Sequence, residues 1–353
     1  MVAVSVGGWL DLPGLRVADW LGRREAAAAR LPAFAVLDYL KDYAAHFRLD
    51  KSASPGTRVE RVERDDENEG WLVSGLELAT NERFVIFCKH VVLACGNTQP
   101  RPLQFDHADA SALRDVLYDV RSFKDRLNLT VEEPVGSSQR AVVVVGSGIS
   151  AADAVAVALD RGLRVIHVIR RGDAQLRGTV IARLASGGEL WADYAKIYRL
   201  MTGREKHPLY TRMTSARPVA ARRSDENNND NSGNVLSIDV QSAQGVVEIN
   251  CWLVVACCGR THRLPGGLDE YSFRDYDAVD VDGLHAVGAF AGDHYVRHLT
   301  GGALHVARRI YANLSPPLRP TRASNAESRR TRRRRKALLE QQPQPEQLLP
   351  IQS

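Results

Sequence analysis

The sequence predicts an α/β fold in which one nucleotide-binding unit is inserted into a second, interrupted α/β domain. Three observations predict it. First, AVVVVGSGISAADAVAVALDRGLRVIHVIRR, residues 141–171, reads as an apolar strand, a glycine turn, an alanine-rich helix and a second apolar strand ending on two arginines. Second, that unit stands in mid-chain. Third, two similar strand ends, VVLACGNTQP at 91–100 and WLVVACCGRT at 252–261, bracket it, as if the chain left one domain and returned to it.

The bulk numbers agree with a folded protein of this class. The chain has 353 residues, 44% hydrophobic and 25% charged, enough for one large or two modest domains. It has no apolar run long enough to span a bilayer, and the start, MVAVSVGGWLDLPG, lacks the basic segment of a secretory leader. Cys88, Cys95, Cys251, Cys257 and Cys258 show no CxxC spacing, which argues against a disulfide framework or a zinc site and for a reducing, cytoplasmic setting. The basic run 329–336, with Arg319 and Arg322, carries more positive charge than the whole chain's net +5, so the rest of the chain is acidic. Nucleic-acid binding by the folded body is therefore not expected.

The elements follow in order. Phe34, Leu37, Tyr39, Leu40 and Tyr43 mark an amphipathic helix over 33–47. Strands are expected at 57–63, 70–78 and 83–94, and then a loop and a short helix through about 139. After the nucleotide unit the chain reads as helical and then irregular over 172–234, with RRSDENNNDNSGN at 222–234 a polar insertion unable to form a core. Strands return at 235–241 and 246–256. A strand (LHAVGAF), a turn (AGD) and a helix close the folded part within 284–312. The predicted domains are a partial flavin-type domain at 1–140, a nucleotide domain at 141–260, a return to the first domain at 261–312 and a disordered basic tail at 313–353.

Within the nucleotide unit, Gly146 permits the tight turn, and Gly148 lets a pyrophosphate approach the backbone. Ala151 stands where a third glycine is usual and still allows close helix–strand packing. Ser147, Ile149 and Ser150 complete the turn, and the helix N-terminus supplies free N–H groups for phosphate. The second strand ends on Arg170 and Arg171 rather than the acidic residue that grips a ribose hydroxyl in NAD sites. A guanidinium pairs with a 2′-phosphate, so NADPH is the expected nucleotide, with Arg170 as its ligand and Arg171 beside it.

The stretch VGAFAGDHYVRHLTGGALHVARR, 287–309, carries the second cofactor signal. A carboxylate at Asp293, after Gly292, can accept hydrogen bonds from a sugar or ribityl hydroxyl. Gly301, Gly302 and Ala303 let a flat cofactor come close, and Gly96 closes the first crossover. Taken together, LDLPGLRVADW, VVVVGSGISAADAV…VIHVIRR and VGAFAGDHYVRHLTGGAL resemble the oxidative-stress-induced growth inhibitor family, whose proteins are similar to flavin-containing monooxygenases. The resemblance covers about residues 7–312. It implies a fold of two dinucleotide-binding domains with FAD and NADPH as cofactors. It also implies NADPH-dependent monooxygenase activity linked to oxidative stress, proliferation, cell death and late cytokinesis, with midbody or nuclear association.

Two departures from that pattern matter. No strand–GxGxxG–helix precedes GGWLDLPG, so the first dinucleotide unit is incomplete, and no FxGxxxH pattern precedes residue 141. The alternative reading is therefore a non-catalytic, NADPH-binding regulator acting through protein partners. No catalytic acid or base is identified and no metal centre is expected: His294 and His298 are one helical turn apart, but no carboxylate or cysteine completes a ligand set. Cys257 and Cys258 read as small buried residues at a strand end.

Overall fold

The valine run of the strand Ala141–Val145 is buried along its whole length, as happens when both faces of a sheet are covered. In the computed structural model, which describes residues 2–129, 141–223 and 236–313, this strand is the centre of a five-stranded parallel sheet. Its order is Tyr210–Thr214, Arg164–Ile169, Ala141–Val145, Leu253–Ala256 and Val116–Leu117. The helix Ile149–Asp160 crosses from the central strand to Arg164–Ile169 and buries Ala151, Ala152, Ala154, Val155 and Ala158. Small side chains on that face let helix and sheet come close. A four-stranded sheet (Gly245–Cys251, Leu236–Ser242, Arg217–Arg223, His107–Ala108) shares its core with the parallel sheet, where Val143, Val145 and Val254 meet Ala221, Ile238 and Val240.

These elements form one compact unit, residues 99–261, and residues 2–98 with 262–313 form another. The chain enters and leaves the first of these side by side, because Gln99–Pro100 pairs antiparallel with Arg260–Thr261. The boundary thus falls at Gln99 rather than at the expected 141. The segment from 99 supplies three two-residue strands and the helix Val120–Leu129, which buries Phe123. Two-residue strands carry no periodicity, so the sequence placed them with the preceding domain.

In the second unit, Thr57–Asp65, Gly70–Glu77 and Glu82–Cys88 form an antiparallel sheet. Val91–Leu93 pairs in parallel with Leu284–Ala286, which continues through Asp277–Ala278 to Phe273–Arg274. The single strand expected over 83–94 is therefore two strands in different sheets, broken at Lys89 and His90. The expected strand 246–256 breaks in the same way at Trp252, whose N–H donates to the Ala141 carbonyl as the chain changes sheets. Strands over 210–223 replace part of the region read as irregular. The strand expected over LHAVGAF, 284–290, stops at Ala286, and a 3-10 turn, Gly288–Ala291, follows. The helix Ala33–His46 matches its expected span. It buries Tyr39, whose hydroxyl accepts from the Leu12 N–H and donates to the Leu15 carbonyl. The closing helix runs Val296–Asn313. The Arg-rich tail and most of the polar insertion lie outside the described residues. Among the described residues no helix is long and apolar enough to cross a membrane.

Gly146 is the tightest point of the parallel sheet. Its φ is +133°, and a Cβ there would stand 2.4 Å from the Cys257 carbonyl oxygen on the neighbouring strand end. Gly146→Ala adds both a strained dihedral and a clash with backbone, and is expected to cost about 2 kcal/mol or more. Chemical denaturation checks this; an unchanged midpoint would refute the packing account.

Candidate functional site

The first group of sequence-predicted residues converges at the carboxyl end of the parallel sheet in the unit 99–261. Gly146 ends the central strand, and Gly148 is the N-cap of the helix Ile149–Asp160. No side chain caps that helix, so the N–H groups of its first turn remain available to an incoming acceptor. Around Gly148 a Cβ would meet no atom within 4 Å, so the space over the turn is open. Ile149 and Ser150 start the helix, Ser150 exposed and Ile149 half-buried, while Ala151 is fully buried beneath it. Opposite demands thus fix the two glycines: Gly146 excludes a side chain because backbone is too near, and Gly148 leaves a face clear.

The two arginines that follow the strand Arg164–Ile169 separate. Arg171 Nη1 donates to the Ser147 hydroxyl at 2.6 Å, which ties it to the glycine turn. Arg170 lies near Cys258, whose thiol its charge pulls down against the larger upward effect of burial. Cys257 is pushed up to about 12, first by burial and then by Cys258. Both shifts favour the protonated thiol near neutrality.

A residue the sequence reading passed over holds the turn from below. His167 is fully buried in the middle of its strand. Its Nε2 lies 2.8 Å from the Gly146 carbonyl oxygen and its Nδ1 2.9 Å from the Tyr210 hydroxyl. A carbonyl only accepts, so Nε2 carries the proton and donates to Gly146, while Nδ1 accepts from Tyr210. Burial pushes His167 down to about 4 and Tyr210 upward. The available signal was a single polar residue at the centre of RVIHVI.

The second group assembles in the other unit. Leu93 and Ala286 are register partners, so the chain after each emerges at the same sheet edge. There the Asn97 side chain donates to the Ala289 carbonyl at 3.3 Å, joining the Gly96 crossover to the 3-10 turn. Gly96 (φ +59°) and Gly292 (φ +100°) both adopt left-handed backbone, with open space where a Cβ would stand. Asp293 Oδ1 accepts from the Tyr276 hydroxyl at 3.3 Å. Its Oδ2 is buried and has no hydrogen-bond partner among the described residues. At Gly302 a Cβ would stand 2.5 Å from that oxygen and 2.8 Å from the Tyr276 ring, so a larger residue would displace one of these side chains. Gly301 faces open space and Ala303 is exposed. A buried carboxylate oxygen without a donor is costly. A hydroxyl donor, such as that of a ribityl chain or a ribose, would satisfy it. His305 packs its ring against Tyr276. Among the described residues no three His, Cys, Asp or Glu side chains converge as metal ligands.

Comparison with known proteins follows this geometry. Residues 36–174 match the family of L-lysine 6-monooxygenase/L-ornithine 5-monooxygenase. The oxidative stress induced growth inhibitor homolog of Caenorhabditis elegans is 34% identical over 321 residues, 88% of this chain and 67% of that protein. Among solved structures, bacillithiol disulfide reductase from Bacillus cereus aligns with a TM-score of 0.60 at 14% identity, covering 89% of this chain and 86% of that one. The ornithine N-hydroxylase of Kutzneria sp. 744, captured with reduced FAD, NADP+ and L-ornithine, aligns at 0.58 and 15% identity, covering 84% and 83%. Both show the FAD/NAD(P)-binding flavoprotein fold.

The His167 arrangement makes a pH prediction. The folded value lies below the unfolded 6.5, so the neutral ring is the stabilising form. Its contribution is complete above pH 6.5 and is lost as pH falls toward about 4, by about 3 kcal/mol in all. Unfolding free energy measured across that window should fall more steeply for the wild type than for His167→Gln; parallel profiles would contradict the buried neutral histidine.

Proposed function

The chain belongs to the oxidative stress-induced growth inhibitor family, and from that premise we propose that it is an NADPH-dependent, flavin-linked oxidoreductase of the monooxygenase type acting in the control of growth, proliferation and cell death. The observation that carries the nucleotide part is the turn at 146–151, with an open Gly148, an uncapped helix N-terminus and Arg170 and Arg171 in place of an acid. The flavin part is supported by the unpartnered Asp293 Oδ2 against Gly302.

In this reading the N–H groups after Gly148 receive the pyrophosphate, and Arg171, fixed on Ser147, adds positive charge beside it. Arg170 supplies the guanidinium for the 2′-phosphate. Asp293 accepts from a flavin hydroxyl, while Gly96, Gly292, Gly301 and Ala303 leave room for the cofactor. When bound, NADPH supplies a hydride and the flavin accepts it; the chain's own residues position the two and exclude water.

Nucleotide binding tests the first half. Fluorescence titration of the full chain with NADPH should give saturable binding. Arg170→Glu should weaken it by about a hundredfold, through a lost attraction and an added repulsion. Gly148→Ala should also weaken it while leaving the unfolding midpoint nearly unchanged. Absence of NADPH binding in the wild type would refute the proposal.

A further inference from the structure

The strands Phe273–Arg274 and Asp277–Ala278 are joined by two residues, Asp275 and Tyr276. Both have left-handed backbone, φ +50° and +72°, as a two-residue hairpin loop demands. The turn sends Tyr276 to Asp293 and the next residue, Asp277, to a separate cluster. Asp277 Oδ1 lies 2.6 Å from Nδ1 of His285, which is buried in the strand Leu284–Ala286. His285 Nε2 lies 3.1 Å from Nδ1 of His90, the residue before the parallel strand Val91–Leu93. Asp277 Oδ2 pairs with the Arg309 guanidinium of the closing helix. All four residues belong to one unit.

The proton positions follow from the acceptors. A carboxylate only accepts, so His285 Nδ1 carries its proton and donates to Asp277. His285 Nε2 is then an acceptor, and His90 Nδ1 donates to it. The remaining ring nitrogen, His90 Nε2, has no partner among the described residues, and that ring is half-buried. It is the open acceptor of the chain. A proton from solvent binds there, the Nδ1 proton of His90 passes to His285 Nε2, and the added charge comes to rest against Asp277.

The closing helix depends on Asp277. Of the 18 residues Val296–Asn313, Gly302 and Val306 alone are buried. Arg309 stands one turn after Val306, so its ion pair anchors the second half of the helix. An imidazolium on Oδ1 makes Asp277 serve two cations and repels Arg309. The neighbouring charges do not replace Asp277. Lys89 is committed to the Asn68 and Glu69 carbonyls, and Arg64 to the Asp282 carbonyl. Burial, and then His285, hold His90 below its ordinary 6.5, against a smaller upward pull from Asp282. The neutral relay is therefore complete above pH 6.5 and is lost as pH falls below it.

We propose that His90, His285 and Asp277 form a proton relay that works as an acid-released latch on the closing helix. Neutral, the relay leaves Asp277 to Arg309 and the second half of the helix is held. Charged, it draws Asp277 away from Arg309 and the helix end is freed. The freed segment follows Gly302, which stands against Tyr276 and Asp293, so acid loosens one wall of that site. The latch is independent of the ligand that Asp293 takes.

Amide hydrogen exchange of the full chain, with rates corrected for their intrinsic pH dependence, tests this. From about pH 7.5 to about pH 5.5, protection of residues 306–313 should fall by about three- to tenfold, while the helix Ala33–His46 of the same unit stays within about twofold. His90→Gln, whose carboxamide still donates to His285 but takes up no proton, should abolish the fall. Arg309→Met should show the low protection at both pH values, and circular dichroism reports whether each variant folds. Constant protection of 306–313 in the wild type overturns the latch without recourse to any variant. A fall of wild-type size in folded His90→Gln, or wild-type protection in folded Arg309→Met, overturns it as well.

Discussion

The close approach of the Cys257 carbonyl to Gly146 is the constraint on which the unit 99–261 depends. Two parallel strands, Ala141–Val145 and Leu253–Ala256, end against each other with no room for a side chain between them. Because the backbone there is pinned, the next residues can leave the sheet as a turn and start a helix whose N-terminus is uncapped. His167 holds the Gly146 carbonyl from within the sheet, using its one ring donor on Gly146 and its one ring acceptor on Tyr210. A polar side chain at the centre of an apolar strand is tolerated because both ring nitrogens are satisfied.

Both candidate sites follow one physical scheme. In each, a glycine whose Cβ would collide is set beside glycines over which nothing stands: Gly146 with Gly148, and Gly302 with Gly292 and Gly301. The tight glycine brings backbone or carboxylate close, and the open ones leave a surface for a planar or phosphorylated ligand. Charge then differentiates them. The nucleotide end collects arginines, while the other unit presents the Asp293 carboxylate with one oxygen held by Tyr276 and one left over. The former arrangement suits an anion and the latter a hydroxyl donor.

Much of this was legible in the sequence where the physical signal is local. The valine run, the glycine spacing and the alanine-rich helix specify a strand, turn and helix by composition alone, and the structure follows them at 141–169. The crossovers at Gly96 and Gly259 were legible as repeated strand ends, and the α/β flavoprotein fold followed from their order. What remained hidden depends on long-range pairing. Lys89–His90 and Trp252 interrupt apolar runs only because the chain changes sheets there, and no propensity marks such a change. The strands Val116–Leu117 and His107–Ala108 are too short to show alternation, so the domain boundary was placed late. The adjacent arginines read as a pair, yet Arg171 turns to Ser147 and Arg170 lies near Cys258.

The glycine turn and the Asp293 site are proposed to serve one redox reaction. The direct measurement is the visible spectrum of the purified chain after incubation with FAD and removal of the excess, then anaerobic titration with NADPH. The account predicts a retained flavin band that bleaches in proportion to NADPH, with Asp293→Ala diminishing the retained flavin and Arg170→Glu slowing the bleaching. A chain that binds NADPH but retains no flavin, or whose retained flavin is not reduced by NADPH, would contradict the oxidoreductase assignment and leave a nucleotide-binding regulator in its place.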